Sequence, residues 1–260
     1  MQAKEKELKD ISIVIATYNV AKTIADCLES IKAQKTGKIE LIIVDAGSTD
    51  GTLRIIETYN DVVDIVISER DDGIYDAWNK GIRLSSGQWI MFLGADDELM
   101  PEALSTYVSF VEKVRKIDKK IDYISSKVQY VDLQGKPLKI FGEPFLWEKF
   151  IRNMNVAHVG SLHNRDLFKE IGLYNYVDYK ICGDYELLMR KRNTLKTQFI
   201  PVVTAKMRTG GVSFSIRALK EGRRAKINAD RNIFLCNIEF FIQWLFLIKN
   251  KLKFFIYEMF

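Results

Sequence analysis

The chain has 260 residues, 47% hydrophobic and 28% charged, so it can bury the core of one large domain and lacks the composition of a disordered protein. Its 39 basic and 34 acidic residues leave a formal charge of +5, but no nucleic-acid-binding module accompanies that excess, so we expect no nucleic-acid partner. Three scattered cysteines (Cys27, Cys182, Cys236) predict unpaired thiols, and only two histidines argue against a zinc enzyme. The charged first residues predict no secretory signal, hence a cytoplasmic protein.

The first half of the chain alternates predicted strands and helices, which indicates an α/β fold with a mostly parallel sheet. The predicted strands cover residues 11–16, 39–44, 62–68 and 89–93. The predicted helices cover residues 21–34, 52–58, 74–84 and 101–116. Beyond residue 121 the pattern is less regular, with strands over 121–131 and 138–141 and a helix over 185–192.

Two of these strands end in acidic residues. Asp45 follows the apolar strand over 39–44, and Asp96 and Asp97 follow the strand over 89–93. An open α/β sheet binds ligands beyond the carboxyl ends of its strands, and carboxylates there suit Mg²⁺ or Mn²⁺ carrying a diphosphate. The alternative for the second pair is an acidic turn before the helix near Pro101.

Five segments, in order, resemble a known family. They cover residues 13–19, 44–52, 68–81, 92–97 and 183–190. Their order and spacing are similar to those of the inverting glycosyltransferases of family 2, of the kind that build bacterial surface polysaccharides. The resemblance implies the GT-A nucleotide-diphospho-sugar transferase fold for a catalytic domain of residues 1–213, and a nucleotide-sugar donor, most simply a UDP-sugar.

The resemblance also implies which residues bind the donor nucleotide. Tyr18 would stack on the base, for about 1–3 kcal/mol, unless it is a core tyrosine. Asp45 would accept the imide N–H of uracil, unless it only forms a turn. Arg70 and Trp78 stand where the family has proline and methionine, which leaves the contacts of their segment open. The other expected nucleotide contacts are Thr17, Asn19, Asp71, Asn79, Ala95 and Asp96.

The catalytic groups follow from the same resemblance. Asp97 would bind Mn²⁺ or Mg²⁺, which stabilises the leaving diphosphate, and Asp96 would bind the ribose or a metal-bound water. Ala95 stands where the family's Asp-any-Asp signature often has its first acid. Asp184 matches the family's base for the acceptor hydroxyl, which predicts inversion at the anomeric carbon, although it is also suited to be a helix N-cap.

Three further residues are expected near the acceptor or near phosphate. His158 matches a histidine of similar enzymes, with a buried, hydrogen-bonded histidine as the alternative. Arg190 would pair with an acid near the site or with phosphate, or else lie on a solvated helix face. Arg208 would bind phosphate from a segment over 207–213 that resembles the family's mobile loop over the donor.

Residues 214–260 predict a basic, aromatic-rich helical extension. Their nine basic and four acidic residues account for the whole +5 of the chain. The apolar run over 233–248 is shorter than the about 20 residues that span a bilayer. The extension is therefore expected to lie on an anionic membrane, at the inner face of the cell membrane, or to pack on the catalytic domain or on a second subunit in a homo-oligomer.

The expected function is metal-dependent sugar transfer to a hydroxyl of a growing or polyprenyl-linked surface glycan. A sugar-1-phosphate nucleotidyltransferase would need a glycine-rich, arginine-containing loop after the first strand. A nicotinamide dehydrogenase would need Gly-any-Gly-any-any-Gly at the same place, and residues 17–20 match neither pattern. A catalytically inactive, membrane-associated scaffold of the same fold remains an alternative.

Overall fold

The structure, a computed structural model, describes residues 9–116, 120–210 and 215–258, with side chains described up to residue 249. The strands in these ranges are β1 (Ile11–Thr17), β2 (Ile39–Asp45), β3 (Ile65–Ser68), β4 (Trp89–Gly94), β5 (Glu98–Leu99), β6 (Tyr123–Val131), β7 (Pro137–Phe141), β8 (Leu162–Asn164) and β9 (Thr197–Arg208). The helices are α1 (Ile24–Lys32), α2 (Thr52–Glu57), α3 (Ile74–Leu84), α4 (Ala103–Lys116), α5 (Trp147–Phe150), α6 (Arg165–Ile171), α7 (Gly183–Met189), α8 (Ile216–Asn228) and α9 (Ile233–Glu258).

All the described strands form one sheet in the order β3-β2-β1-β4-β8-β6-β9-β5, and β7 pairs with β6. The strands β3, β2, β1 and β4 are parallel neighbours, which confirms the βαβ units predicted for the first half. Their register places Thr17 beside Asp45 and Ala16 beside Gly94. In the second half β8 is antiparallel to both β4 and β6, which accounts for the irregular pattern after residue 121.

The core lies on both faces of the parallel strands. Ile13 and Leu41 belong to a buried cluster with residues of α1 and α4. Val14 and Ile42, one position along, belong to a second cluster with residues of α3. Covered on both faces, β1 and β2 need apolar side chains at most successive positions, which explains their nearly continuous apolar runs. The exceptions, Ser12 and Glu40, are buried and bond each other (2.6 Å).

Several predicted boundaries differ from the structure, including those of the helices predicted over 21–34 and 185–192, and two of the differences have clear local reasons. The strand predicted over 62–68 begins at Ile65, because the amides of residues 62 and 63 bond the carbonyl of Tyr59 in a turn. The helix predicted from Pro101 begins at Ala103, because Glu102 has a φ of 63° and interrupts the helical backbone.

The predicted division at residue 213 does not separate two packing units. Ala225 and Ala229, on or just after α8, are buried in one cluster with Phe150 and Leu188 of the preceding chain. The helix α9, by contrast, leaves many apolar side chains exposed. No helix in the described part of the chain is long and apolar enough to cross a membrane.

Candidate active site

The first group of candidate residues lies at the carboxyl ends of β1 and β2. Asp45 is fully buried, and its carboxylate accepts hydrogen bonds from Thr17 Oγ1 (2.9 Å), Ser68 Oγ (2.7 Å), the amides of Gly47 and Ser48 (2.9 Å each) and Ser48 Oγ. Burial alone would raise the pKa of Asp45, but the bonds from Ser48, Ser68 and Thr17 hold it below its ordinary value. The carboxylate therefore fixes the loop after β2 between β1 and β3.

Tyr18 and Asn19 follow β1 at the same edge. The Tyr18 side chain is 63% exposed, so the core alternative for it is wrong and its ring face is available for stacking. Asn19 has a φ of 52°; its amide donates to Ser48 Oγ (2.9 Å), and its Oδ1 accepts from the amide of Thr49 (2.9 Å). Asn19 thus ties this turn to the loop after β2.

The acid pair lies beyond β4. Asp97 is buried and Asp96 is exposed. A Cβ atom added to Gly94 would lie 2.5 Å from Asp97 Oδ2 and 2.9 Å from Asp96 Oδ1, so both carboxylates converge on the bare face of this glycine. Burial first, and then the charge of Asp96, raises the pKa of Asp97 to about 7. Ala95, between them, turns its side chain into the hydrophobic core and offers no polar group.

This pair fits a divalent cation. Two converging carboxylates are the hard oxygen donors that Mg²⁺ and Mn²⁺ take, and a cation would offset the mutual repulsion and burial that raise the pKa of Asp97. Among the described residues no cluster of three or more His, Cys, Asp or Glu side chains could hold a metal ion alone. Mg²⁺ commonly uses one or two carboxylates and completes its shell with phosphate oxygens and water, which suits this set.

Arg208, at the end of β9, lies beside the acid pair. Its amide donates to Asp97 Oδ1 (3.1 Å), and its guanidinium contacts Asp26 (3.2 Å) and Glu98 (3.4 Å). Its buried Nε has no partner among the described residues. The guanidinium is therefore held by acids beside the expected diphosphate position, and residues 211–213 of the expected loop lie outside the described residues.

Asp184 lies in the first turn of α7. The helix begins at Gly183, with Cys182 before it, so the expected N-cap role of Asp184 is wrong. Asp184 Oδ1 accepts from the Tyr185 amide (2.9 Å) and lies 3.0 Å from the Tyr75 hydroxyl, whose one proton is shared with the closer carbonyl of Ile181 (2.6 Å). The Tyr75 ring can approach because residue 183 lacks a side chain: a Cβ there would lie 2.8 Å from the ring. Tyr75 therefore orients the carboxylate.

Tyr130 of β6 lies beside the acid pair, and no sequence motif indicated it. The register of the sheet pairs Tyr130 with Met207 of β9, next to Arg208, whose amide bonds Asp97. Burial first, and then the charges of Asp97 and Asp184, raises the pKa of this phenol. Tyr130 is therefore a further candidate residue of the site around the acid pair.

Glu221 of α8 was also missed. This carboxylate is only 4% exposed and accepts from the backbone amides of Lys180 (3.0 Å), Ile181 (2.8 Å) and Cys182 (3.0 Å). These three successive amides precede α7, where a negative charge also interacts favourably with the helix dipole. Glu221 therefore fixes the segment that leads into Asp184. The only signal in the sequence was an acid within a basic helix.

Replacing Glu221 by Gln should reduce turnover by about 100-fold while leaving donor affinity near wild type, because small displacements of a catalytic group have effects of this size. The glutamine side chain still offers the three backbone amides one accepting oxygen, but it no longer carries a negative charge. The control is Arg217→Ala, which removes only the 60% exposed partner of Glu221. Steady-state kinetics and calorimetric UDP titration measure the two effects. Equal turnover in both variants would contradict a positioning role for Glu221.

Two expected contact residues are buried and hydrogen-bonded within the protein. The Asn79 amide bonds the backbone N–H (3.0 Å) and carbonyl (2.9 Å) of Tyr174, so its polar atoms have protein partners, and its nucleotide contact stays a prediction. His158 Nε2 lies 3.1 Å from the Tyr174 hydroxyl, and its ring stacks on Trp78. Burial lowers the pKa of His158, which favours the neutral ring. The alternative of a buried, hydrogen-bonded histidine therefore describes His158.

Arg190 and Asp71 have local partners. Arg190 pairs with Glu186 of α7 (2.6 Å), and its Nη1 donates to the carbonyls of Ile171 (2.9 Å) and Leu173 (2.8 Å). Its guanidinium thus ties α7 to the chain after α6 rather than facing the acid pair. Asp71 Oδ1 accepts from a backbone amide two residues ahead (2.9 Å), and burial raises the pKa of Asp71.

Comparison with known proteins agrees with this architecture. The sequence pattern described as Glycosyl transferase family 2 matches residues 12–172. The PGL/p-HBAD biosynthesis glycosyltransferase of Mycobacterium bovis is 33% identical over 213 residues, which cover 79% of each chain. The teichoic acid poly(glycerol phosphate) polymerase of Staphylococcus epidermidis is 29% identical over 199 residues, 71% of this chain and 27% of that protein.

Solved structures show the same fold. S. aureus TarS 1-349 in complex with UDP-GlcNAc has a TM-score of 0.65 at 19% identity, over 89% of this chain and 70% of that one. The mannosyltransferase PcManGT of Pyrobaculum calidifontis, in complex with GDP-Man and Mn²⁺, has a TM-score of 0.64 at 17% identity, over 92% and 72%. The expected GT-A fold is confirmed, and by sequence the chain belongs to glycosyltransferase family 2.

Proposed function

We propose that this glycosyltransferase moves a sugar from a UDP-sugar, with inversion, to a hydroxyl of a growing or polyprenyl-linked surface glycan. The observation that carries the proposal is that the Asp96 and Asp97 carboxylates converge at the end of β4, on the sheet edge that also holds Thr17 and Asp45, in a chain of glycosyltransferase family 2. The UDP-GlcNAc complex of TarS supports the donor class, and the names of the mycobacterial and staphylococcal relatives support a surface glycan.

The donor would bind along the ends of the parallel strands. Tyr18 offers an exposed ring to the base, and Asp45 offers a carboxylate. The hydrogen bonds that Asp45 accepts all come from groups of the protein itself. A uracil N–H must therefore replace one of these donors, and the Ser48 hydroxyl, which can rotate away, is the easiest to replace. Asp96 and Asp97 would hold Mn²⁺ or Mg²⁺, which when bound supplies Lewis-acid stabilisation of the leaving diphosphate. The Mn²⁺ complex of PcManGT supports this assignment.

The acceptor hydroxyl would meet Asp184. Its Oδ1 is engaged by Tyr75 and Tyr185, and Oδ2 accepts no bond from the described residues, so Oδ2 is available to take the proton. The acceptor oxygen then forms a bond to the anomeric carbon on the face opposite the departing diphosphate. One displacement of this kind inverts the anomeric configuration and needs no acid to protonate the leaving group.

A thermal-shift screen of nucleotide sugars with and without Mn²⁺ tests the donor class. A UDP-sugar at 100 times its Kd should stabilise the protein by about 2.7 kcal/mol, or roughly 5–10 °C for a chain of this size, and only with the cation. A shift with nucleoside triphosphates and sugar 1-phosphates alone would favour a nucleotidyltransferase. Donor binding without any turnover would favour an inactive scaffold.

Asp45→Asn should weaken UDP binding by about 10-fold to 100-fold and reduce the preference for UDP over ADP. Asparagine has one accepting oxygen, for which the surrounding amides and hydroxyls compete, and its NH2 group cannot accept the uracil N–H. The control is Asp50→Asn, since Asp50 also holds a loop, through Ala21 and Thr52, and should keep the preference. Calorimetric titrations with Mn²⁺ or a chelator measure both properties. An unchanged preference for UDP in Asp45→Asn would contradict the assignment of Asp45 to the base. The same UDP affinity with Mn²⁺ and with the chelator would contradict the metal-dependent donor site.

A further inference from the structure

A basic cleft lies between α8 and α9. Its volume is about 500 Å³, and its lining includes three cations, Lys220, Arg223 and Arg224, and two apolar residues, Ile227 and Phe240. Arg224 pairs with Asp178 (3.2 Å), whereas Lys220 and Arg223 have no ion pair with the described residues. A cavity lined by cations and apolar groups suits a ligand with an anionic group attached to an apolar body.

The cleft residues share one face of α8. Lys220, Arg223, Arg224 and Ile227 follow the i, i+3, i+4, i+7 spacing of a single helix face. Arg223 Nε crosses the cleft to Asn237 Oδ1 of α9 (2.6 Å), so the two helices are joined at this point. The other face of α8 packs on the catalytic core. The cleft is therefore built on a rigid wall.

The exposed surface of α9 is apolar. Phe234, Phe241, Ile242 and Phe246 are 55% to 68% exposed. Between residues 233 and 249 the sequence has a single acidic residue, Glu239, and ion pairs with Lys226 and Arg231 occupy it. The surface beside the cleft thus combines large apolar side chains with two cations, Lys220 and Arg223, that have no ion pair with the described residues. Apolar and basic groups are combined in this way in helices that lie in a membrane interface.

We propose that the α8–α9 cleft binds the phosphate of an anionic membrane lipid while the exposed apolar side chains of α9 enter the interfacial layer. This inference deepens the proposed function, because it provides the docking site from which the enzyme reaches a lipid-linked acceptor. Charge favours a lipid over a second copy of the chain. A symmetric dimer through α9 would bring two identical basic surfaces together, whereas an anionic leaflet attracts them.

The cleft is also joined to the catalytic base through α8. Lys220 lines the cleft, and the next residue, Glu221, holds the amides that precede α7. One rigid helix therefore carries both the expected lipid contact and the anchor of the segment that leads into Asp184. Docking through this face would orient the acceptor side of the site relative to the membrane surface.

The test compares the full chain with two double variants of equal charge change. Lys220→Ser/Arg223→Ser removes two cleft cations, and Lys113→Ser/Lys116→Ser removes two exposed cations of α4. Co-sedimentation uses phosphatidylcholine vesicles with and without phosphatidylglycerol. At about 1 kcal/mol per cation, the cleft variant should bind the anionic vesicles about 30-fold more weakly, and the α4 variant should bind them like wild type. Consumption of the nucleotide sugar without vesicles should be unchanged in both.

Phe241→Ser/Phe246→Ser tests the apolar contribution. High salt screens the charges but not the apolar contacts, so wild type should keep residual binding in salt that this variant lacks. The proposal is wrong if the wild-type protein does not bind anionic vesicles, or if the cleft and α4 variants lose vesicle binding equally. It is wrong, too, if inorganic phosphate binds the cleft as tightly as the vesicles do. It is also wrong if the phenylalanine variant instead converts a dimer into a monomer. These outcomes leave donor turnover intact, so they are distinct from failure of the proposed function.

Discussion

Replacing Asp184 by Asn should reduce sugar transfer by at least about 10²-fold to 10⁴-fold, the contribution typical of a general base, while UDP affinity stays near wild type. Asparagine keeps the size of the side chain and an oxygen that can accept from Tyr75 and Tyr185, but it cannot take the proton of the acceptor hydroxyl. Steady-state turnover and calorimetric UDP titration separate the two quantities. A variant that retains substantial turnover would remove Asp184 as the base.

Two companion variants make this result specific. Tyr75→Phe removes the hydroxyl that donates to Asp184 Oδ1 and should lower turnover less than loss of the carboxylate does. Asp178→Asn makes the same charge change at an exposed acid six residues before Asp184 and should behave like wild type. A comparable loss of turnover in Asp178→Asn would attribute the effect to charge in general rather than to the base.

Asp97→Asn should lower turnover by about 10²-fold to 10³-fold and abolish the extra thermal stabilisation that Mn²⁺ adds to UDP. The reason is that an amide is a much weaker ligand for a hard cation than a carboxylate. The protein without ligand should remain folded, because Asn at this buried position has no charge to desolvate. Thermal shift with UDP alone, Mn²⁺ alone and both together measures the effect.

Asp96→Asn should have a smaller effect than Asp97→Asn, since Asp96 is exposed and its oxygen can be replaced by water. Full Mn²⁺-dependent turnover in Asp97→Asn would show that this carboxylate is not the metal ligand. Loss of metal response in both variants, with normal turnover, would show that catalysis does not use the cation.

The strand ends could be predicted from the sequence because their signals are local. A nearly continuous apolar run predicts a parallel strand covered on both faces, and the parallel register then brings neighbouring strand ends together. Thr17, Asp45 and the acid pair therefore lie at one edge of the sheet, as predicted.

The partners of buried polar side chains could not be predicted in this way. Asn79 was assigned to the nucleotide from its position in a motif, but the backbone that satisfies it lies 95 residues further along the chain. Glu221 reaches amides about 40 residues before it. Such contacts depend on how α3, α7 and α8 pack against one another, and helical periodicity does not encode that packing.

The C-terminal extension illustrates a related limit. Its charge excess suggested one continuous appendage after residue 213. Packing divides it, because Ala225 and Glu221 are buried against the catalytic core while much of α9 is exposed. The membrane expectation therefore concerns α9 and the outer face of α8, rather than the whole extension.

The anomeric configuration of the sugar first released from an α-linked UDP-sugar tests the central proposal most directly. With water as the acceptor the measurement needs no knowledge of the natural one, and early NMR spectra record the product before the anomers interconvert. A single displacement with Asp184 as the base predicts the β-anomer, and its formation should be lost in Asp184→Asn. Release of the α-anomer by wild type would contradict the account.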